Sequence, residues 1–122
     1  MKINASELVD LGRDLADVGV AREVRQVMSK AGVEMKKRAR AEAPTGHLPG
    51  YARTINYEVL DGGMAVELRP DESGQGLLSA VVEFGQGANA ARPHILPQAD
   101  REAPVAERHI ADVLARRIAR GR

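Results

Sequence analysis

Apolar residues recur every three or four positions in three stretches of this 122-residue chain, and polar residues fill the positions between them. This spacing places the apolar side chains on one face of a helix. Ser6 precedes the first stretch and is of a type that caps helix starts, while Pro44 follows the second and disfavours helical geometry in the residue before it. The stretches therefore predict a short helix over about residues 6–18, a long helix over about 20–43 and a C-terminal helix over about 98–119.

A different pattern, the alternation of apolar and polar residues, occupies the middle of the chain. Two alternating runs flank Asp61-Gly62-Gly63, which is a sequence typical of tight turns, and they predict a β-hairpin over about residues 54–69. A third run, in which Val82 and Phe84 share one face, predicts a strand over about residues 78–84. We expect Phe84 to anchor this third strand to the core.

Together these elements predict an α+β fold, in which the long N-terminal helix and the C-terminal helix pack on a small, mostly antiparallel β-sheet. A chain of 122 residues is too short for two independent cores, since each core usually needs on the order of 100 residues. We therefore expect residues 1–122 to form a single domain. Its core should be aliphatic, because Tyr51, Tyr57 and Phe84 are the only aromatic residues.

Charge and cysteine content argue against several classes of function. Eighteen Lys and Arg against 17 Asp and Glu give a formal net charge of +1, so the chain as a whole makes no electrostatic case for binding nucleic acid. The chain has no cysteine, which excludes disulfides and thiolate zinc sites. No apolar run reaches the roughly 18 residues of a membrane span, and the first residues lack the apolar stretch of a signal peptide.

Residues that could carry catalysis are few. His47, His94 and His109 lie in separate segments, without the short spacings typical of metal ligands. We expect Glu83 to form a structural salt bridge with Arg92; a small hydrolase with Glu83 and His94 as acid and base is the enzymatic alternative. The glycines lack the Lys and the Ser or Thr of a phosphate-binding loop. The sequence thus predicts a protein that is not an enzyme and has no cofactor, metal or small-molecule ligand.

Basic residues are concentrated on the two long predicted helices. A solvated helix face is one interpretation of them, and contact with an acidic protein surface is another. Because phosphate contacts need only Lys and Arg, a small DNA-binding or regulatory protein is the alternative function. The residues concerned are Lys30, Lys36, Lys37, Arg38 and Arg40 on the long helix and Arg116, Arg117, Arg120 and Arg122 at the end of the last helix.

Three further segments stand out by their order along the chain. Ala43-Pro44-Thr45-Gly46-His47-Leu48 comes first, with Arg53-Thr54-Ile55 shortly after it, then Val82-Glu83-Phe84-Gly85, and finally Arg92-Pro93-His94-Ile95-Leu96-Pro97. They resemble the Ala-Pro, Thr-Gly-x-Leu turn and Arg-x-Ser-Ile entry, the Val-Glu-Phe-Gly-Thr motif and the Arg-Pro-Phe-Leu-Arg-Pro motif of phage tail-completion, or head-to-tail joining, proteins. This chain departs from that pattern in four places: it lacks the Asp that usually precedes the Thr-Gly, it has an inserted Pro49-Gly50-Tyr51, Gln86 stands where the family has Thr, and Pro97 directly follows Leu96.

The resemblance implies a structural virion protein of a long-tailed double-stranded DNA bacteriophage. Such a minor tail protein would be a connector subunit, forming an oligomeric ring, hexameric by that resemblance, at the neck. Its partners would be a head-completion protein and the tail tube or tail terminator, with DNA passing non-specifically through the lumen. It would be made in the host cytoplasm and end in the virion, without contact to a membrane.

The same resemblance names residues for which two roles stay open, namely holding the local architecture and contacting neighbouring subunits at the interfaces of such a ring. They belong to the motifs themselves, and the loops over residues 70–76 and 85–92 are expected to supply further contacts. The motif residues are Thr45, Gly46, Leu48, Arg53, Glu83, Phe84, Gly85, Arg92 and Pro93.

Overall fold

The computed structural model describes residues 2–5, 19–44, 50–71, 75–76, 79–85 and 93–120. Three strands in this part of the chain form one sheet, namely β1 (Lys2–Asn4), β2 (Ile55–Leu60) and β3 (Ala65–Pro70). Their order is β1-β3-β2, and both pairings are antiparallel. The central strand is therefore β3, which pairs with its hairpin neighbour on one side and with the start of the chain on the other.

The hairpin predicted from the alternating residues is present. Ile55 lies opposite Pro70 and Leu60 lies opposite Ala65, and a single 3-10 turn over Asp61–Gly63 joins the strands. All three turn residues have positive φ, which glycine adopts without steric cost and aspartate tolerates better than most residues. The register places the alternating apolar side chains of both strands on the same face of the sheet.

Helix α1 (Gly19–Glu42) packs on that apolar face. The stripe predicted from the sequence is buried, from Val20 at one end to Ala39 at the other. Gly32 lies where the helix packs tightly against β2, since a Cβ at this position would overlap the ring of Tyr57. A glycine at this point lets the helix backbone lie directly against an aromatic ring.

The segment predicted as a third strand is a short helix, α2 (Ser79–Phe84), so that prediction is wrong. Six residues are too few for apolar spacing to separate a strand from a helix. The third place in the sheet belongs to β1, for which the sequence predicted no element. The helical backbone also reverses the expected burial, because Glu83 is 5% exposed whereas Phe84 is 65% exposed and does not anchor the core.

The last helix, α3 (Leu96–Arg120), packs beside α1. The two helices run antiparallel, as ion pairs join Glu42 to Arg101 at one end and Glu23 to Arg117 at the other. They form one layer and the sheet forms the other, with the aliphatic core between them. This is the predicted α+β fold, with two long helices on a small antiparallel sheet.

The helix boundaries agree closely with the periodic patterns where they can be compared. The helices predicted over residues 20–43 and 98–119 are α1 and α3, whereas the helix predicted over residues 6–18 lies outside the described residues. Within the described ranges, no helix combines the length and apolar character that crossing a membrane requires.

Candidate functional site

The residues predicted at the interface fall into three groups in the structure. Thr45, Gly46, Leu48 and Arg92 lie outside the described residues. Arg53 and Pro93 are exposed, as is Phe84, while Gly85 is partly buried and has a φ of 79°. Glu83 is the member that the fold buries, and the geometry of the site is best built up from it.

The carboxylate of Glu83 holds the start of α3. Its Oε1 accepts hydrogen bonds from the backbone N–H groups of His94 and Ile95, both at 3.0 Å, and its Oε2 accepts one from Leu96 at 3.0 Å. The first N–H groups of a helix have no partner within the helix and lie at its positive end. Glu83 therefore caps α3 from a separate element with one charged side chain.

His94 extends this arrangement towards the loop before β2. Its Nδ1 lies 3.0 Å from Oε1 of Glu83, and its Nε2 lies 2.7 Å from the hydroxyl of Tyr51. The two rings also meet edge to face, with centroids 5.3 Å apart. Tyr51 and His94 are both fully buried. We call Tyr51, Glu83 and His94 the α3 clamp, because together they fix the start of α3 to two other parts of the chain.

The α3 clamp has the connectivity of a proton relay, with a carboxylate, an imidazole and a hydroxyl in line. Burial, and after it the negative charge of Glu83, raises the pKa of Tyr51 to about 12. This hydroxyl thus holds its proton more tightly than an ordinary tyrosine, which is the opposite of what an activated nucleophile requires. With the phenol donating to Nε2, Nδ1 of His94 donates to Glu83, and each of these polar atoms has a partner. The arrangement is suited to holding structure.

Glu83 and His94 are the pair that the sequence offered as acid and base, and the structure does bring them together. The salt bridge expected between Glu83 and Arg92 involves a residue outside the described ranges. Tyr51, by contrast, was missed as a member of the site. It is 43 positions from His94, and its only sequence signal is its place in the segment inserted relative to the tail-completion motif.

A second polar cluster, the α1–α3 latch, joins the two long helices near the end of α1. Arg38 donates through Nε to Gln98 at 3.0 Å and through Nη2 to Glu102 at 2.7 Å. Glu42 accepts hydrogen bonds from Gln98, at 2.7 Å, and from Arg101. The pKa of Glu42 is lowered, and the hydrogen bond from Arg101 is the largest cause. Partial burial acts in the opposite direction, and the hydrogen bond from Gln98 lowers the pKa further. The α1–α3 latch comprises these five residues.

A groove of about 670 Å³ lies between α1 and α3 and is bounded at one end by the α1–α3 latch. Its lining combines aliphatic residues such as Val27 and Val113 with charged ones, among them the paired Arg38 and Glu102. None of the α3 clamp residues contributes to it. In the described part of the chain, no cluster of His, Cys, Asp or Glu has the arrangement needed to hold a metal ion.

The solvent face of α1 carries the basic residues that the sequence pointed to, but their surroundings differ. Arg38 is engaged in the α1–α3 latch, Arg40 donates to the carbonyl of Ile55, and Lys36 lies over the ring of Tyr57. Lys37 is exposed and forms no ion pair with any residue that the structure describes. Only some of these cations are therefore available to a partner.

The chain was compared with protein-family models, with curated proteins and with solved structures, and none of the three comparisons found a match.

Proposed function

We propose that this chain is a structural virion protein, a tail-completion or head-to-tail connector subunit that forms a ring at the neck of a long-tailed phage. The proposal rests on the three segments that resemble motifs of that family and on what their residues do in the fold. It makes the chain an assembly protein and not an enzyme.

The observation that carries the proposal is the contact between two of the resembling segments. Glu83 belongs to the Val82-Glu83-Phe84-Gly85 segment, and the three amides that it binds belong to the segment that begins α3. The carboxylate of Glu83 in one motif therefore accepts its hydrogen bonds from backbone amides of the other motif. Such a division of roles fits motifs that maintain a shape, and it gives neither motif a reactive group.

Phe84 supplies the second argument, because its side chain points to solvent and not towards the start of α3. It follows the buried Glu83 directly, yet it is 65% exposed and is the only Phe in the chain. Buried aromatic side chains contribute more binding energy at protein interfaces than most other residues. An exposed aromatic residue beside a rigid cap suits an anchor for a neighbouring subunit or for a neck partner.

The variant Phe84→Asp tests this role. We expect it to unfold at the wild-type denaturant midpoint, because an exposed side chain contributes little to the core. We also expect it to fail in complementing a phage whose own copy of the gene carries a nonsense mutation. Ala111→Asp, at an exposed position of α3, is the matched control and should complement fully. Electron microscopy should show filled heads and free tails with Phe84→Asp.

The whole proposal is tested by mass spectrometry of purified particles. We expect the chain to sediment with them and to be present in ring stoichiometry. Particles that lack the chain and remain fully infectious would rule out a role in the neck.

The alternative, a small DNA-binding or regulatory protein, has one observation in its favour, namely the exposed cations of α1. It predicts duplex binding that weakens steeply as salt rises. Fluorescence anisotropy with a labelled duplex at several salt concentrations separates it from the neck subunit, for which we expect only weak binding.

A further inference from the structure

Opposite charges lie on opposite sides of the two-layer fold. On one side, the solvent face of α1 presents Arg22, Lys30 and Lys37, which are all exposed. With about 3.6 residues per turn, Lys30 and Lys37 lie about 20° apart around the helix axis and Arg22 lies about 80° from Lys30, so the three side chains share a broad face of the helix. Val33, which is 47% exposed, lies between the two lysines. We call these four residues the α1 cationic face.

Two of the three carboxylates of α1 pair with residues of α3 and not with this face. Glu23 pairs with Arg117 and Glu42 pairs with Arg101, so both point towards α3, and Glu34 lines the groove between the two helices. An ordinary solvated helix intersperses both signs of charge, often in pairs four residues apart. On α1 such a pair is Lys30 with Glu34, which line the same groove, so the α1 cationic face has one neighbouring carboxylate against its three cations and keeps an excess of positive charge.

On the other side of the molecule lies the face of the sheet that does not contact α1. Because side chains alternate along a strand, the charged residues of all three strands point to this side. Among the residues that the structure describes, its charged groups are four carboxylates and two cations, an excess of two negative charges. They are Glu58, Asp61, Glu67 and Asp71 with Lys2 and Arg69, and they form the outer sheet face.

We infer that the α1 cationic face of one copy docks on the outer sheet face of a second copy. The contact joins two different patches, so it can repeat from copy to copy, as a ring requires. This inference deepens the proposed neck ring and rests on it, but it names a contact that differs from the loops and motif residues discussed above.

Two observations favour a second copy over duplex DNA as the occupant. The chain as a whole has a net charge of only +1, so the cations of α1 are balanced by carboxylates elsewhere on the same molecule. Val33 also places an exposed apolar side chain in the middle of the α1 cationic face. An apolar centre with a charged rim is the usual arrangement of a protein interface, whereas a phosphate backbone offers such a side chain little.

Charge reversal on each face separately tests the contact. The cation-reversed variant is Lys30→Glu with Lys37→Glu. The acid-reversed variant is Glu58→Lys with Glu67→Lys, which turns the excess of two negative charges on the outer sheet face into an excess of two positive charges. The matched control, Arg108→Glu with Arg116→Glu, changes as many charges as the cation-reversed variant at exposed positions of α3.

Self-association is measured by sedimentation at low and high salt. We expect each face variant alone to associate at least about tenfold more weakly than wild type, since like charges would then oppose each other. An equimolar mixture of the two should recover association, because one variant has two acidic faces and the other two basic ones. The control should associate like wild type, and high salt should weaken the wild-type contact.

Several results would overturn the inference. One is a cation-reversed variant that associates like wild type, and another is a mixture that fails to recover although both variants unfold at wild-type midpoints. A wild-type chain with a dissociation constant weaker than about 1 mM would overturn it too. Loss of salt-sensitive duplex binding in the cation-reversed variant, with self-association unchanged, would assign the α1 cationic face to DNA instead. The proposed function fails separately, if the chain is absent from particles.

Discussion

The α3 clamp and the α1–α3 latch each hold α3 through a carboxylate, Glu83 in the clamp and Glu42 in the latch, but the surroundings of the two carboxylates differ. Glu83 in the α3 clamp is 5% exposed and accepts hydrogen bonds from three backbone amides. Glu42 in the α1–α3 latch pairs with Arg101, and their side chains are 37% and 51% exposed. Water can replace a lost partner at the latch, whereas a buried group left without its partner bears the full cost of desolvation. Burial, more than the number of ion pairs, therefore decides how much each carboxylate contributes to the free energy of unfolding.

The largest effect that this comparison predicts belongs to Glu83. Replacing Glu83 by Ala should lower the free energy of unfolding by about 3 kcal/mol or more, because it leaves three amides at the start of α3 without an acceptor. Urea denaturation at neutral pH measures the change. Glu58→Ala, which removes an exposed partner of Arg69, should cost no more than about 1 kcal/mol. If the two variants were equally stable, burial would not be the deciding factor.

A second effect, somewhat smaller, should appear at alkaline pH and comes from Tyr51. Its pKa is raised from 10.0 to about 12 in the folded protein, so folding favours the protonated phenol. The stability that this provides is fully present below pH 10 and is lost as the pH rises towards 12. The loss should reach about 2 to 3 kcal/mol, since each pKa unit corresponds to about 1.4 kcal/mol.

Two measurements check this prediction for Tyr51. In Tyr57→Phe, where Tyr51 is the only tyrosine left, tyrosinate absorbance should titrate with a midpoint near pH 12. In Tyr51→Phe, the free energy of unfolding should fall less steeply than wild type over the same range. A tyrosinate midpoint near the ordinary value of 10 would show that the hydroxyl is not held within the α3 clamp.

The smallest effect should come from Glu42 in the α1–α3 latch. Its pKa is lowered from the ordinary 4.5, chiefly by the hydrogen bond from Arg101, so its contribution is present above pH 4.5 and is lost as the pH falls below that value. For a carboxylate so exposed we expect about 0.5 kcal/mol or less. Unfolding of wild type and Glu42→Gln, followed from neutral to acidic pH, should give a small difference that disappears in acid. A difference in the free energy of unfolding as large as that of Glu83→Ala would contradict the conclusion that burial decides the contribution of each carboxylate.

Local pattern was sufficient for much of the fold. The apolar spacing along α1 and α3 and the turn at Asp61–Gly63 identify two helices and a hairpin, because each depends on residues only a few positions apart. The segment over residues 79–84 shows where this approach ends. Its six residues fit a strand and a helix equally well, and the place in the sheet that it was expected to fill belongs to Lys2–Asn4, far away in the sequence.

The candidate site divides in the same way between sequence and structure. Local residue patterns predicted the class of elements, the aliphatic core and the prominence of Glu83 and His94. They did not predict that Glu83 caps α3, that Tyr51 completes the α3 clamp or that Phe84 is exposed. The physical reason is that burial and hydrogen-bond partners are set by chain segments that meet only after folding, as Tyr51 and His94 do, whereas helix and hairpin patterns are set by neighbours.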